Sequence, residues 1–220
     1  MPGVVEIARF PSSEAYQKDP SIINPALELL TTIKGSHEIF HGLQVEDKKT
    51  LYLLVIWDRL EDHKNFINDP VAYPLLAKLL GPSVTAPAVL LHVPFTSDPL
   101  SPFRAPITEF VYASVNAELS ATVDIKEVDA RLQAVSDKRL GTKHGAALGR
   151  TIENDGLSVG TLGWDSVQEH IDWVTIDPEV VDIDIHFNLS TSMPAMPDRC
   201  ISQQQRDRRD PIYDSPVHWL

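Results

Sequence analysis

The sequence predicts an α+β protein made of two copies of one strand–helix–strand–strand–helix–strand unit. Three observations lead there: residues that recur at one fixed spacing, apolar periodicity that alternates between strand-like and helix-like, and a Pro-rich segment between the copies. At an offset of 107 positions His37 matches His144, Gly42 matches Gly149, Glu46 matches Glu153, Trp57 matches Trp164, Asp58 matches Asp165 and His63 matches His170. The chain has only four Trp and eight His, so repeated matches at one offset point to duplication. The sharpest shared unit is Trp-Asp-x-x-x-[Asp/Glu]-His-x-x-[Phe/Trp], ending at Phe66 and Trp173. Outside this block the offset drifts. Val5-Glu6-Ile7 resembles Thr108-Glu109-Phe110, and Leu91-His92-Val93 resembles Ile185-His186-Phe187, which gives each half three histidines in equivalent places.

The elements follow in the same order in both copies, over residues 1–95 and 107–189. A short strand opens each half (Val4–Phe10; Ile107–Val115), followed by a helical stretch (Pro25–Ile33; Ile125–Ser136). Ile125, Val128, Leu132 and Val135 recur at helical spacing. A strand over His37–Val45 (His144–Ile152) leads through a turn to a strongly apolar strand, Leu51–Trp57 (Leu157–Trp164). The second turn contains Asn154-Asp155-Gly156, residue types that tolerate positive φ. Asp58 with Glu61, and Asp165 with Gln168, read as capping pairs for the second helix. Pro70 and Pro74 break that helix in the first half, with a restart over Leu75–Leu80. A last strand closes each half (Ala88–Phe95; Val181–Leu189). Between the halves, residues 96–106 continue a run holding Pro94, Pro99, Pro102 and Pro106, which reads as a stiff, extended linker. The tail, residues 190–220, is polar but ends in Ile212, Tyr213, Val217 and Trp219, and is expected to wrap back onto the body.

Composition narrows the class of partner. A formal net charge of −12 argues against nucleic acid and against anionic lipid, both of which need clustered Lys and Arg. The single cysteine, Cys200, excludes an internal disulfide framework and a Cys-rich metal site. No stretch approaches the roughly 20 apolar residues of a membrane span, and the first residues carry no leader pattern, so a cytoplasmic location is expected. No phosphate-binding Gly motif, serine nucleophile elbow or His-Glu-x-x-His is present.

A strand ending in Trp-Asp, a helix opening on [Asp/Glu]-His and the βαββαβ order together resemble the dimeric α+β barrel superfamily. The antibiotic-biosynthesis-monooxygenase-like and stress-responsive A/B-barrel branches are the most similar. That resemblance implies two ferredoxin-like βαββαβ halves forming, within one chain, the barrel that relatives build as homodimers, with a cavity between sheet and helices in each half. A further homodimer of the fused chain is compatible with it. It also implies a mixed set of activities: monooxygenases acting on aromatic or polyketide substrates without a cofactor, cyclases and lyases, haem-binding members, and members with no activity. The cyclase-like branch carries a Tyr and a His on its second helix, where this chain offers Phe66 and Tyr73. Haem-degrading relatives place an iron-binding His late in that helix, where neither half has one, so no cofactor is expected.

The candidate chemistry rests on histidine. His63 and His170 share helical faces with Leu60 and Ile67, and with Val167 and Val174, and so point toward the sheet. An imidazole there suits a general base. Tyr52, Trp57, Phe66, Tyr73, Tyr112, Trp164 and Trp173 offer aromatic walls. The strand Leu157–Trp164 is poor in bulk, with Gly160, Thr161 and Gly163, and predicts a roomier pocket in the second half near His144 and His170. His37, His92, His144 and His186 are weak metal candidates: the last strand of one half can meet the second strand of the other, pairing His92 with His144 and His186 with His37. The reading is therefore an enzyme of secondary metabolism, a monooxygenase or a cyclase/lyase, acting on a small apolar, aromatic or polyketide-like molecule. His170, His63 or His144 would serve as base. The alternatives are a non-catalytic ligand-binding or stress-responsive protein, and a metal- or haem-dependent member of the same fold.

Overall fold

The first strand, β1 (Val4–Pro11), sets the pattern for the rest of the molecule. Val5 and Ile7 turn to one face; Val4, Glu6, Ala8 and Phe10 turn to the other, as the two-residue period of a strand requires. The computed structural model describes residues 3–114, 125–140, 142–154, 156–176, 185–190 and 193–194. After β1 come α1 (Glu14–Lys18), a 3-10 turn, α2 (Asn24–Thr31), β2 (Ser36–Leu43), β3 (Thr50–Trp57), α3 (Leu60–Ile67), α4 (Ala72–Leu80) and β4 (Val89–Val93). The sheet order is β4-β1-β3-β2, antiparallel throughout.

The chain then continues through α5 (Leu100–Phe103), β5 (Ile107–Ser114), α6 (Ile125–Leu140), β6 (Ala146–Arg150), β7 (Leu157–Trp164), α7 (Val167–Ile176), β8 (Ile185–Ser190) and β9 (Met193–Pro194). The second sheet has the order β6-β7-β5-β8, which is the first order read from its other end. The two sheets also meet edge to edge. Beyond β4, Phe95 bridges Gly149 of β6, the Thr96 amide donates to the Leu148 carbonyl at 2.8 Å, and the Ile152 amide donates to the His92 carbonyl at 2.9 Å. On the opposite side β9 pairs with β2, Met193 facing His41 and Pro194 facing Phe40. A Cβ on Gly149 would stand 2.6 Å from Val93 Cγ1 and 2.9 Å from the Pro94 carbonyl oxygen, so glycine is what lets this seam close.

Three apolar layers result. Between the sheets, Val5, Ile7, Tyr52, Leu54 and Ile56 meet Phe110, Tyr112, Leu157 and Val159, and Tyr52 stacks on Phe110 with centroids 5.3 Å apart. Outside the first sheet, Leu27, Leu30, Phe66, Leu76 and Leu80 cover Leu53, Val55 and Trp57. Outside the second, Leu132, Val167 and Trp173 join Val111, Leu162 and Trp164.

Several expectations are corrected by the structure. The interhalf linker is not simply extended. Asp98 Oδ1 accepts the Leu100 amide at 3.0 Å and starts α5, whose Phe103 is fully buried among Phe40, Phe95 and Phe110, with ring centroids 5.7, 6.0 and 5.9 Å away. Gly163 admits this helix, since a Cβ there would lie 3.0 Å from Pro102 Cα and 2.5 Å from His144 Cβ. Part of the missing side-chain volume of β7 is thus taken by the chain itself. Neither Asp-based capping pair forms. Asp58 instead bonds His37, and the α7 start is capped one residue later, with the Glu169 amide donating to Ser166 Oγ and Glu169 Oε2 accepting the Asp165 amide. The break before α4 falls at Asn68–Val71, and Asp69 Oδ1 accepts the Val71 and Ala72 amides. Pro74 sits in the first turn of α4, where a missing N–H leaves no helical bond unmade. Of the tail, residues 193–194 pair with the first sheet; residues 195–220, with Ile212, Tyr213, Val217 and Trp219, lie outside the described residues.

Two outcomes follow from this packing. Phe103→Ala should lower unfolding free energy by roughly 3–5 kcal/mol in a denaturant titration, the usual cost of emptying a buried aromatic site; a loss under ~1 kcal/mol would show that α5 does not plug the space between the sheets. His41 is buried on β2, its Nδ1 is 2.7 Å from the Tyr16 hydroxyl, and burial holds its pKa down at about 4. A depressed imidazole contributes stability that is complete above pH 6.5 and is lost as pH falls toward 4, because the unfolded chain takes up the proton first. The stability advantage of the natural chain over His41→Gln should therefore shrink by about 1.4 kcal/mol per pH unit through that window, whereas a constant difference would contradict neutral burial.

Candidate functional site

The site is built around Glu6, the one charged side chain that β1 turns toward the helices. The register places Val4 opposite Trp57, so the Trp57 indole shares a face with Glu6, and its Nε1–H donates to Glu6 Oε2 at 2.9 Å. From above, α3 lowers His63 and Phe66, one helical turn apart, onto the same spot. The His63 ring stacks on Trp57 with centroids 4.8 Å apart and planes within 16°, and its Nε2 lies 3.4 Å from Glu6 Oε2. His92 stands directly opposite Glu6 in the β1–β4 register, and its Nε2 is 2.7 Å from His63 Nδ1. The other end of His92 belongs to the second half. Glu153, in the turn between β6 and β7, takes the His92 Nδ1 hydrogen bond on Oε1 and accepts the His92 backbone N–H on Oε2 at 2.9 Å. Glu6, His63, His92 and Glu153 thus form one chain of carboxyl and imidazole groups across the seam.

The electrostatics run in opposite directions at the two ends. Burial raises the Glu6 carboxyl above its ordinary value, against the opposing hydrogen bond from Trp57. Burial, helped by the neighbouring His92, pushes His63 down to about 3 and keeps it neutral. Burial alone would raise Glu153, but the hydrogen bonds from the His92 ring and backbone outweigh it and hold that carboxyl below its ordinary value. A proton therefore favours the Glu6 end over the Glu153 end.

Glu6 also lines a cavity of about 410 Å³ between the sheet and α2 and α4. Glu6, Ala8 and Phe10 run along its floor with Leu53 and Val55, its roof is Leu30, Phe66, Leu76 and Leu80, and residues 84–88 form an exposed rim. Tyr73 joins the wall, edge-on to Phe66 at 5.5 Å, and its phenol is pushed up by burial and then by Glu6. The cavity is an apolar slot with a carboxyl and a phenol as its ionisable groups.

The second half repeats the first steps of this arrangement. Trp164 Nε1 donates to Glu109 Oε2 at 2.9 Å, and His170 Nε2 lies 3.3 Å from Glu109 Oε1. The likeness ends at the last strand. His92 faces Glu6, but Glu109 faces Leu189 and His186 stands opposite Tyr112, so the expected equivalence of His92 and His186 does not hold in register.

The other expected site residues are dispersed. Phe66 and Tyr73 line the first-half cavity, and Trp57 lies one layer behind, against His63. Tyr52 and Tyr112 face the space between the sheets, where Arg9 covers Tyr112 at 5.0 Å. Trp164 packs on His170 and Trp173 at 5.1 and 5.5 Å. Gly160 and Thr161 are consecutive on β7 and so face opposite sides: Gly160 faces Val111, and Thr161, fully buried, faces between the sheets with Gly163. His144 does not join a pocket with His170. Its Nε2 bonds Asp165 at 2.8 Å, as His37 bonds Asp58 at 2.6 Å. His144, then Lys143, draw Asp165 down to about 2. The proposed His92–His144 pairing is likewise replaced, because His92 is engaged by His63 and Glu153. No group of three or more His, Cys, Asp or Glu among the described residues is arranged to hold a metal ion.

Sequence reasoning missed Glu6, Glu109 and Glu153 as site residues, although each was visible. Glu6 and Glu109 each interrupt an apolar strand at matching places, and Glu153 matches Glu46 in the repeat.

No family profile matches this sequence, and no curated protein sequence does either. Solved structures do resemble it. A provisionally named monooxygenase from Fusobacterium nucleatum superposes with a TM-score of 0.61 at 9% identity, over 93% of this chain and 98% of that one. An anthrone oxidase-like protein gives a TM-score of 0.61 at 13% identity, covering 88% and 92%. A variant of chlorite dismutase from Candidatus Nitrospira defluvii gives 0.55 at 13% identity, covering 87% and 91%. The last likeness overturns the expectation that no cofactor is involved: chlorite dismutases are haem-dependent, so this fold by itself assigns no cofactor. The first-half cavity does not fit a haem. Of the axial ligands iron takes from proteins (His, Cys, Met or Tyr), its lining offers only Tyr73, a phenol held in its neutral form. Among the described residues no helix is long and apolar enough to cross a membrane. At these identities the comparisons show the fold: an α+β chain with two antiparallel sheets, as in monooxygenase-type and chlorite-dismutase structures.

Proposed function

We propose that this chain is a small-molecule enzyme in which Glu6 transfers a proton to or from a substrate held in the first-half cavity. Glu6 is the observation that carries the reading: an ionisable group, raised by burial toward working pH, opens onto an apolar slot of about 410 Å³ and is backed by His63. The substrate class that suits such a slot is an aromatic or polyketide-like molecule with a phenolic O–H or an activated C–H. Phe10, Phe66 and Tyr73 would orient its rings, and the carboxylate of Glu6 would take its proton. Loss of that proton is the first step of oxygenation, of cyclisation and of C–C cleavage alike. The names of two structural neighbours, monooxygenase and anthrone oxidase-like, support an oxygenation on a fused-ring substrate.

The architecture we infer is a tandem duplication of a ferredoxin-like βαββαβ unit, residues 1–95 and 107–189, closed into one barrel within the chain. Equal strand orders, equal Trp–Glu–His groupings and pairing at both sheet edges support it.

Anthrone is the probe that tests the function. Saturable quenching of tryptophan emission and conversion followed by absorbance and oxygen uptake are expected of the natural chain. Glu6→Gln should bind anthrone while turnover falls about 100-fold or more, the typical contribution of a general acid–base group. Ala8→Phe, which fills the cavity floor, should abolish binding. Unchanged turnover in Glu6→Gln, or wild-type binding in Ala8→Phe, would overturn the assignment.

A further inference from the structure

We infer that Glu6, His63, His92 and Glu153 form a proton path from the first-half cavity to the surface, completed only by a residue of the second half. Each link has the atoms that such a path needs. His63 presents Nε2 to Glu6 at 3.4 Å and Nδ1 to His92 Nε2 at 2.7 Å, and His92 Nδ1 bonds Glu153. The inner groups are sealed, with the His63 side chain 3% exposed, whereas the Glu153 side chain is 26% exposed and can release a proton to water.

The hydrogen bonds fix the direction. Glu153 accepts on Oε1 from His92 Nδ1, so the neutral His92 ring that a relay requires has its lone pair on Nε2. His63 must then donate from Nδ1 and leave Nε2 open toward Glu6. Once Glu6 has taken a substrate proton, one transfer along each link returns Glu6 to its carboxylate and leaves both rings in the Nε2–H form, which a half-turn of each ring resets before the next turnover. The proton leaves Glu6 for His63 Nε2, the Nδ1 proton of His63 moves to His92 Nε2, and the Nδ1 proton of His92 moves to Glu153. One O–H or N–H bond breaks and one forms at each link, no electrons change hands, and solvent takes the last proton. Glu153 touches neither cavity nor substrate; it acts through His92 as a positioning residue and proton outlet. The second half has Glu109 and His170 but places Leu189, not a histidine, opposite Glu109, so among the described residues the path has no counterpart around Glu109.

The path is a property of the resting protein, while its use in turnover rests on the acid–base reading of Glu6. Long-range proton–nitrogen spectra of the full chain with nitrogen-15 in its histidines read both tautomers at neutral pH. His63 and His92 should each be in the Nδ1–H form. Glu153→Gln, whose single amide oxygen can still accept the His92 Nδ1–H while the bond to the His92 backbone N–H is lost, should keep both forms. Glu153→Ala should shift His92 and, through the hydrogen bond between the two rings, His63. An Nε2–H form of either ring in the natural chain, or an unmoved His63 in Glu153→Ala, would overturn the path. With anthrone, Glu153→Gln should lower kcat at least tenfold with KM unchanged, because the amide cannot take the proton. Full activity in Glu153→Gln beside an inactive Glu6→Gln would sink the path and leave the role of Glu6 standing; an active Glu6→Gln would sink that role instead.

Discussion

A carboxyl group buried in the middle of an apolar strand is the constraint to which the rest of the first half answers. An isolated ionised carboxylate in such surroundings would cost many kcal/mol, so it must be protonated, hydrogen-bonded or placed near a compensating group. Glu6 meets two of these: the Trp57 indole donates to it, and burial raises its affinity for a proton, with the neutral His63 ring beside it. Trp57 is fully buried and ties β3 to β1, while His63 ties α3 to the sheet. The same indole–carboxyl–imidazole grouping recurs at Trp164, Glu109 and His170. In both halves it fixes where the second helix sits above its sheet.

The seam between the sheets turns this structural grouping into a site with a way out. β6 lies along β4 closely enough that a side chain at Gly149 would collide with Val93 and Pro94. That approach brings the β6–β7 turn, and Glu153 with it, over His92. Neither half alone contains the four-membered chain. The two sheets differ at their last strands, with Leu189 in the place on β8 that His92 takes on β4.

Much of the frame was legible in the sequence because strand period, turn residues and the fixed repeat of Trp, Asp and His are local signals. Element order, the helix break near Pro70 and the inward placement of His63 all follow from such signals. What was not legible depends on contacts between distant segments. The sequence does not say that Asp58 and Asp165 prefer His37 and His144 to their helix ends, nor that Phe103 of a Pro-rich linker is buried between sheets. The scarcity of bulk in β7 suggested a cavity, yet at Gly163 it accommodates Pro102 and His144. The role of Glu6 was hidden because one acid in a strand reads as a solvent-facing position until the helix above it is placed.

The account stands or falls on the unequal environments of Glu6 and Glu153. Carbon-13 NMR of side-chain carboxyls, with Glu6→Gln and Glu153→Gln used to assign the two signals, measures both titrations in the intact chain. The account predicts that Glu6 titrates above the ordinary glutamate value of 4.5 and Glu153 below it. Two carboxyls titrating together near 4.5 would contradict it.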